Sequence, residues 1–156
     1  MRSLPLAGLV LPRNRVAVEI SAGNATIVGE LFLADYASEH AGPERVGDRL
    51  NGNDEFFPVL GSDERIRVVS RRNIRWVAIP PHAHGEVEIP GEPTETAATL
   101  TLVDGSTLAG TLRYVAPASR SRVQDYLNDG PRFVPLHQEA RILLVNRDHL
   151  AFVVFS

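Results

Sequence analysis

The chain has no cysteine and no lysine. The first absence excludes a disulfide framework, a thiolate metal site and a cysteine nucleophile. The second excludes Schiff-base and lysine general-base chemistry, since all 16 basic residues are arginine. Catalytic signatures are missing too: there is no Gly-x-Ser-x-Gly, no phosphate-binding loop and no dinucleotide fingerprint. No apolar run approaches the roughly 20 residues of a membrane helix. The start, MRSLPLAGLVLPRNR, only loosely imitates a signal peptide, being broken by Pro5 and lacking a small-x-small site. A net charge of −3 gives no general pull toward nucleic acid or anionic lipid. What is present, 44% hydrophobic and 22% charged residues, is the balance of a folded chain. The expected location is the cytoplasm, and no cofactor is expected.

The sequence repeats itself. RVGDRLN begins at Arg45 and RVQDYLN at Arg122, and each is followed by an aromatic and a proline, Phe56-Phe57-Pro58 and Phe133-Val134-Pro135. GNATIVGELFL, from Gly23, lies over GSTLAGTLRY, from Gly105, with Gly29 on Gly110 and Leu31 on Leu112. VVSRRNIRWV (Val68 to Val77) lies over LVNRDHLAFV (Leu144 to Val153), placing Trp76 on Phe152. Four landmarks recur in one order and at similar spacing, which points to internal duplication.

Each half reads as mainly β. Val16, Val18 and Ile20 alternate with polar or small residues, as in a half-buried strand. A glycine turn and a second strand follow in both halves, the pattern of a hairpin. Ile66–Ser70 with Ile74–Ile79, and Ile142–Val145 with Leu150–Phe155, give a second hairpin in each half. RVxDxLN reads as a helical turn, because its valine and leucine stand four apart on one face. PPHAHGEVEIPGEPTE, with four prolines and four glutamates, reads as an extended linker. The expected divisions are an N-terminal segment over 1–14 docking Leu4, Leu6, Leu9 and Leu11, a first unit over 15–79, the linker over 80–96, and a second unit over 97–156.

VEISAGNATIVGELFLAD resembles the Sm pattern of apolar strand, glycine turn and G-x-L, and VVSRRNIRWVAI resembles the second Sm signature. The chain is similar to the Sm-like and SH3-like small β-barrels over about two-thirds of each half. The resemblance implies an all-β fold of two small tandem barrels, each with a short helical insertion. It also departs from the family: ADYASEHAGPE and VAPASRS stand where Sm proteins carry the Asp-x-x-x-Asn segment that contacts RNA bases. The landmarks further resemble a bacterial family of unknown function.

Candidate sites follow. The repeated blocks suggest paired clamps, Arg45 with Asp48 and Arg122 with Asp125, which also make a candidate interaction surface at a pseudo-two-fold axis with Phe56, Phe57, Tyr126 and Phe133. Arg65, Arg67, Arg71, Arg72 and Arg75, beside Trp76, form the densest basic cluster, with Arg71, Arg72 and Arg75 the candidate nucleic-acid patch; solvated arginines that discourage edge pairing are the favoured explanation. His82, His84, Glu86 and Glu88 alternate, so an extended strand would present imidazoles and carboxylates, proper zinc ligands, on one side; the surrounding Pro-Pro and Pro-Gly favour a solvated acidic linker instead, and no metal is expected. These readings favour a non-catalytic adaptor or regulatory module that binds another protein through a sheet edge or apolar groove. The alternative is an Sm-like nucleic-acid binder. A homo-oligomer fits either, and no membrane partner is expected.

Overall fold

A computed structural model describes residues 14–38, 40–84, 91–115 and 122–155. The first half runs β1 (Asn14–Ala22), β2 (Ala25–Leu33), α1 (Val46–Leu50), β3 (Phe56–Gly61), β4 (Ile66–Ser70), a 3-10 turn over Arg71–Asn73, and β5 (Ile74–Ile79). The second runs β6 (Thr94–Leu102), β7 (Thr107–Tyr114), α2 (Val123–Asp129), β8 (Phe133–His137), β9 (Ile142–Asn146), a 3-10 turn over Arg147–His149, and β10 (Leu150–Phe155). The mainly β expectation holds, and RVxDxLN opens a short helix in both places. β6 begins inside the span expected to be linker, and Pro81–His84 forms a 3-10 turn rather than extended chain. The expected docking segment and residues 85–90 lie outside the described residues.

Local pattern explains each element. Val18 and Ile20 turn to the core from β1, as a period of two demands. The second strand of each hairpin must pass close to the next one, and a glycine permits it. A Cβ on Gly29 would run into the Leu60 carbonyl, and one on Gly110 would stand 2.6 Å from the His137 carbonyl oxygen. In α1, Val46 and Leu50 share the buried face, while Asp48 accepts a 2.8 Å hydrogen bond from the Arg45 backbone N–H at the helix start.

All ten strands belong to one open antiparallel sheet, ordered β10-β6-β7-β8-β9-β5-β1-β2-β3-β4. Each half has the same internal order: β5-β1-β2-β3-β4, then β10-β6-β7-β8-β9. The halves are therefore continuous within one sheet. They join where β5 pairs with β9, with Trp76 opposite Val145, Val77 opposite Leu144, Ala78 opposite Leu143 and Ile79 opposite Ile142.

That joint has apolar residues on both faces. Ile142 and Leu144 of β9 enter a core with Val46, Leu50, Phe57, Val77 and Ile79. Leu143 and Val145 enter a second core with Leu100, Leu112, Val123 and Leu136. Phe133 crosses as well, fully buried in the first half's core. Two polar residues lock the seam: Asn51 Oδ1 accepts the Phe133 N–H at 2.8 Å, and Asn146 Nδ2 donates to the Ile74 carbonyl at 2.8 Å. Burying a Phe or Leu side chain contributes about 1.5–3 kcal/mol, so Phe133, Ile142 and Leu144 make the joint a substantial part of the first core.

Candidate functional site

A cleft of about 540 Å³ opens where α1 meets the joint, with Glu44, Asp48 and Arg49 on one side and His84, Phe133 and Pro135 on the other. Nothing in the spacing of residues connects His40 with Asp48, yet His40 Nε2 lies 2.5 Å from Asp48 Oδ2. The contact arises because the loop after β2 folds back over α1, and loop path has no periodic signature. Hydrogen bonding to the Ala41 carbonyl and to Asp48 raises the His40 pKa above its ordinary value. Neighbouring charges are matched: Arg49 meets Glu44 at 2.6 Å and Asp54 at 3.1 Å. The cleft thus sets charged side chains, Asp48 among them, against an apolar wall of Phe133, Pro135 and Leu144.

The second block differs from the first. Arg122 Nε reaches Asp125 Oδ2 at 3.4 Å, and Asp125 is buried. Tyr126 stacks on Tyr114 with ring centroids 4.5 Å apart, and burial pushes its hydroxyl pKa up to about 12. Phe57 and Phe133 lie within the cores, because their strands turn those positions inward. Phe56 is exposed. The two blocks do not meet as one site: α1 packs in the first core and α2 in the second.

The arginine cluster is divided by its neighbours. Arg71 is only 7% exposed, hydrogen-bonded to the Gly52 carbonyl and to Glu55. Arg75 meets Ser21 Oγ at 3.0 Å and Asp104 at 3.4 Å. Arg72 is exposed, and its carbonyl accepts a 2.7 Å hydrogen bond from His149 Nε2. The five arginines therefore present mainly Arg72 and Arg65 to solvent: Arg71 and Arg75 are held against the protein, and Arg67 is clamped to Asp63 at the surface.

His82 and His84 lie on the 3-10 turn, so they lack the common side that an extended strand would give them. Glu86 and Glu88 lie outside the described residues. Among the described residues, no cluster of three or more acidic or histidine side chains suits a metal ion. His84 instead packs edge-on against His137, with centroids 5.7 Å apart, and burial lowers its pKa.

The most distinctive surface lies at the ends of the sheet. β4 exposes Ile66 and Val68, flanked by Phe56 of β3, and β10 exposes Phe152, Val154 and Phe155. Beside β10 lies a groove of about 350 Å³ lined by Val123, Leu127, Leu150, Val153 and Phe155. Sequence reasoning placed these strands but missed their edge positions, since strand order is a long-range property. Apolar residues on both faces of LAFVVF were the available signal. Among the described residues, no helix is long and apolar enough to cross a membrane. No protein-family profile matches the chain, and neither a curated protein nor a solved structure matches it.

Proposed function

We propose that this chain is a non-catalytic adaptor of the cytoplasm, built as two small barrels of the Sm-like or SH3-like kind set side by side, which binds protein by adding a strand at an open sheet edge. The carrying observation is the row of exposed apolar side chains along the two terminal strands, Ile66 and Val68 on β4 and Phe152 and Val154 on β10. An edge strand has free backbone N–H and C=O groups, and natural edges are normally blunted by charge, proline or a cover. Arg65 and Arg67 do stand on or beside β4, but Arg67 is clamped to Asp63 at 2.8 and 2.9 Å, leaving the apolar row open. Strand addition supplies main-chain hydrogen bonds, and side-chain pockets supply choice.

The test is affinity capture from the native host with the full chain, its Val68→Glu and Val154→Glu variants, and Arg72→Ala as a surface control. A partner retained by the control and lost with one or both edge variants supports the reading. Capture indifferent to both edge changes removes it. The nucleic-acid alternative has less support, because Arg71 and Arg75 are engaged within the protein. A salt-sensitive RNA or DNA shift abolished by Arg72→Ala would restore it.

A further inference from the structure

The two ends of the sheet are not merely open; they are the two halves of a joint that the molecule already contains. By sequence and by register, β4 corresponds to β9, and β10 corresponds to β5. Pro58 pairs with Val68 as Pro135 pairs with Leu144, and Phe57 pairs with Val69 as Val134 pairs with Val145. β9 and β5 are joined; β4 and β10 stand at opposite ends of the sheet. We propose that β4 of one copy pairs with β10 of a second copy, head to tail, reproducing the β5–β9 joint between molecules. The proposal rests on the edge-binding reading above and names its partner: this same chain.

Matching side chains carry the argument. On the entering side, Phe133, Ile142 and Leu144 are 0%, 5% and 0% exposed, because they fill the first core across the joint. Their counterparts Phe56, Ile66 and Val68 are 61%, 38% and 68% exposed, with no half to enter. On the receiving side, Val46, Leu50, Val77 and Ile79 close over the entering residues. Their counterparts Val123, Leu127, Val153 and Phe155 line the open groove beside β10. The same end of the molecule thus lacks an insert that the opposite end presents. Apolar content at these positions and strand direction correspond, which a generic exposed edge would not supply; on the other face Arg67, held to Asp63, stands where the joint has Leu143.

The internal joint also fixes the register. Transferring its pairs places Phe152 opposite Val69, Val153 opposite Val68, Val154 opposite Arg67 and Phe155 opposite Ile66 of the next copy. Asn128 would take the part of Asn51, accepting the Phe56 N–H. Arg141, whose guanidinium lies 5.6 Å over Trp76, has its counterpart in Arg65, placed to cover Phe152. The contact joins two unlike surfaces, so it repeats from copy to copy and yields a ring if the rotation closes, or a filament if it does not.

Sedimentation of the full-length chain across a concentration series tests this, with Val68→Glu and Phe155→Glu, each placing a carboxylate opposite an apolar side chain of the joint, measured alone and mixed. Wild type is expected to exceed a dimer, each variant alone to remain monomeric, and the equimolar mixture to form a one-to-one dimer through its remaining good edges. A monomeric wild type overturns the proposal, as does assembly by either variant alone, which would mean pairing of like edges. Should either variant lose its fold by circular dichroism, a second route uses the cysteine-free background: a Val68→Cys/Val153→Cys double variant is expected to oxidise into an intermolecular ladder. Val68→Cys with Ala151→Cys, two positions out of register, should cross-link at least tenfold more slowly; equal rates overturn the register. A monomeric wild type whose host partner is still lost by Val68→Glu leaves edge binding standing without self-assembly. Host capture indifferent to Val68→Glu and Val154→Glu, with self-assembly intact, removes adaptor binding alone.

Discussion

Phe56 and Phe133 hold corresponding places in the two halves, each entering the strand after a short helix, and they meet opposite fates. Phe133 is sealed in the core of the other half, while Phe56 faces solvent. Leu144 and Val68 repeat the contrast on the next strand. The local chain is the same in kind at both places. What differs is the neighbour: β9 lies between β8 and β5, whereas β4 pairs with β3 alone among the described residues. Burial at these positions is therefore a property of the joint rather than of the strand.

The largest effect should separate this pair directly. Phe133→Ala is expected to cost about 3–5 kcal/mol of stability, as for a large core aromatic. Phe56→Ala should stay within about 0.5 kcal/mol at concentrations where the chain is dispersed. Urea unfolding of both variants decides it, and equal losses would refute the assigned asymmetry.

Where the halves are alike, they should respond alike. Gly29→Ala and Gly110→Ala each push a Cβ into the backbone of the following strand. Each is expected to destabilise by about 1–3 kcal/mol through overpacking. A thermal melt unaffected by either change would show that strand separation there is looser than described.

Asn146→Ala sharpens the comparison through a polar group. It removes the hydrogen bonds to the Ile74 carbonyl and from the Asp148 N–H, and a buried carbonyl left unpaired costs about 1–3 kcal/mol. Ser70, its counterpart on the outer strand, should tolerate alanine within about 0.5 kcal/mol. Equal effects in denaturant titrations would argue against a special role for the seam.

The smallest expected effect is a pH dependence that distinguishes α1 from the joint. The folded state raises the His40 pKa above 6.5, so its contribution is complete below that value and is lost as pH rises through the folded pKa. His84 and His137 are shifted the other way, chiefly by burial, so each favours the fold above 6.5 and loses that contribution as pH falls through its folded pKa. Ring-proton NMR should find His40 titrating above 6.5 and the other two below it. A common value for all three would contradict these environments.

Much of the fold is legible in the residues. Alternation in β1, the glycine turns, the four-residue spacing of Val46 and Leu50, and the recurrence of RVxDxLN lead to strands and short helices in one order, twice. Less of the candidate surface is legible. Arg71 and Arg72 are adjacent letters, yet one is buried against Gly52 and Glu55 and the other is exposed. His40 and Asp48 carry no joint signature, and their contact depends on the path of a loop.

The sequence by itself determined the period of each strand, the helical turns and the repetition, because these rest on residues within a few positions of one another. Only the tertiary structure decided which strands would be inner and which outer. Edge position depends on pairing between segments some 65 residues apart, Ile79 with Ile142 and Trp76 with Val145. Once that pairing is made, one set of apolar residues becomes core and the corresponding set is left at the ends of the sheet.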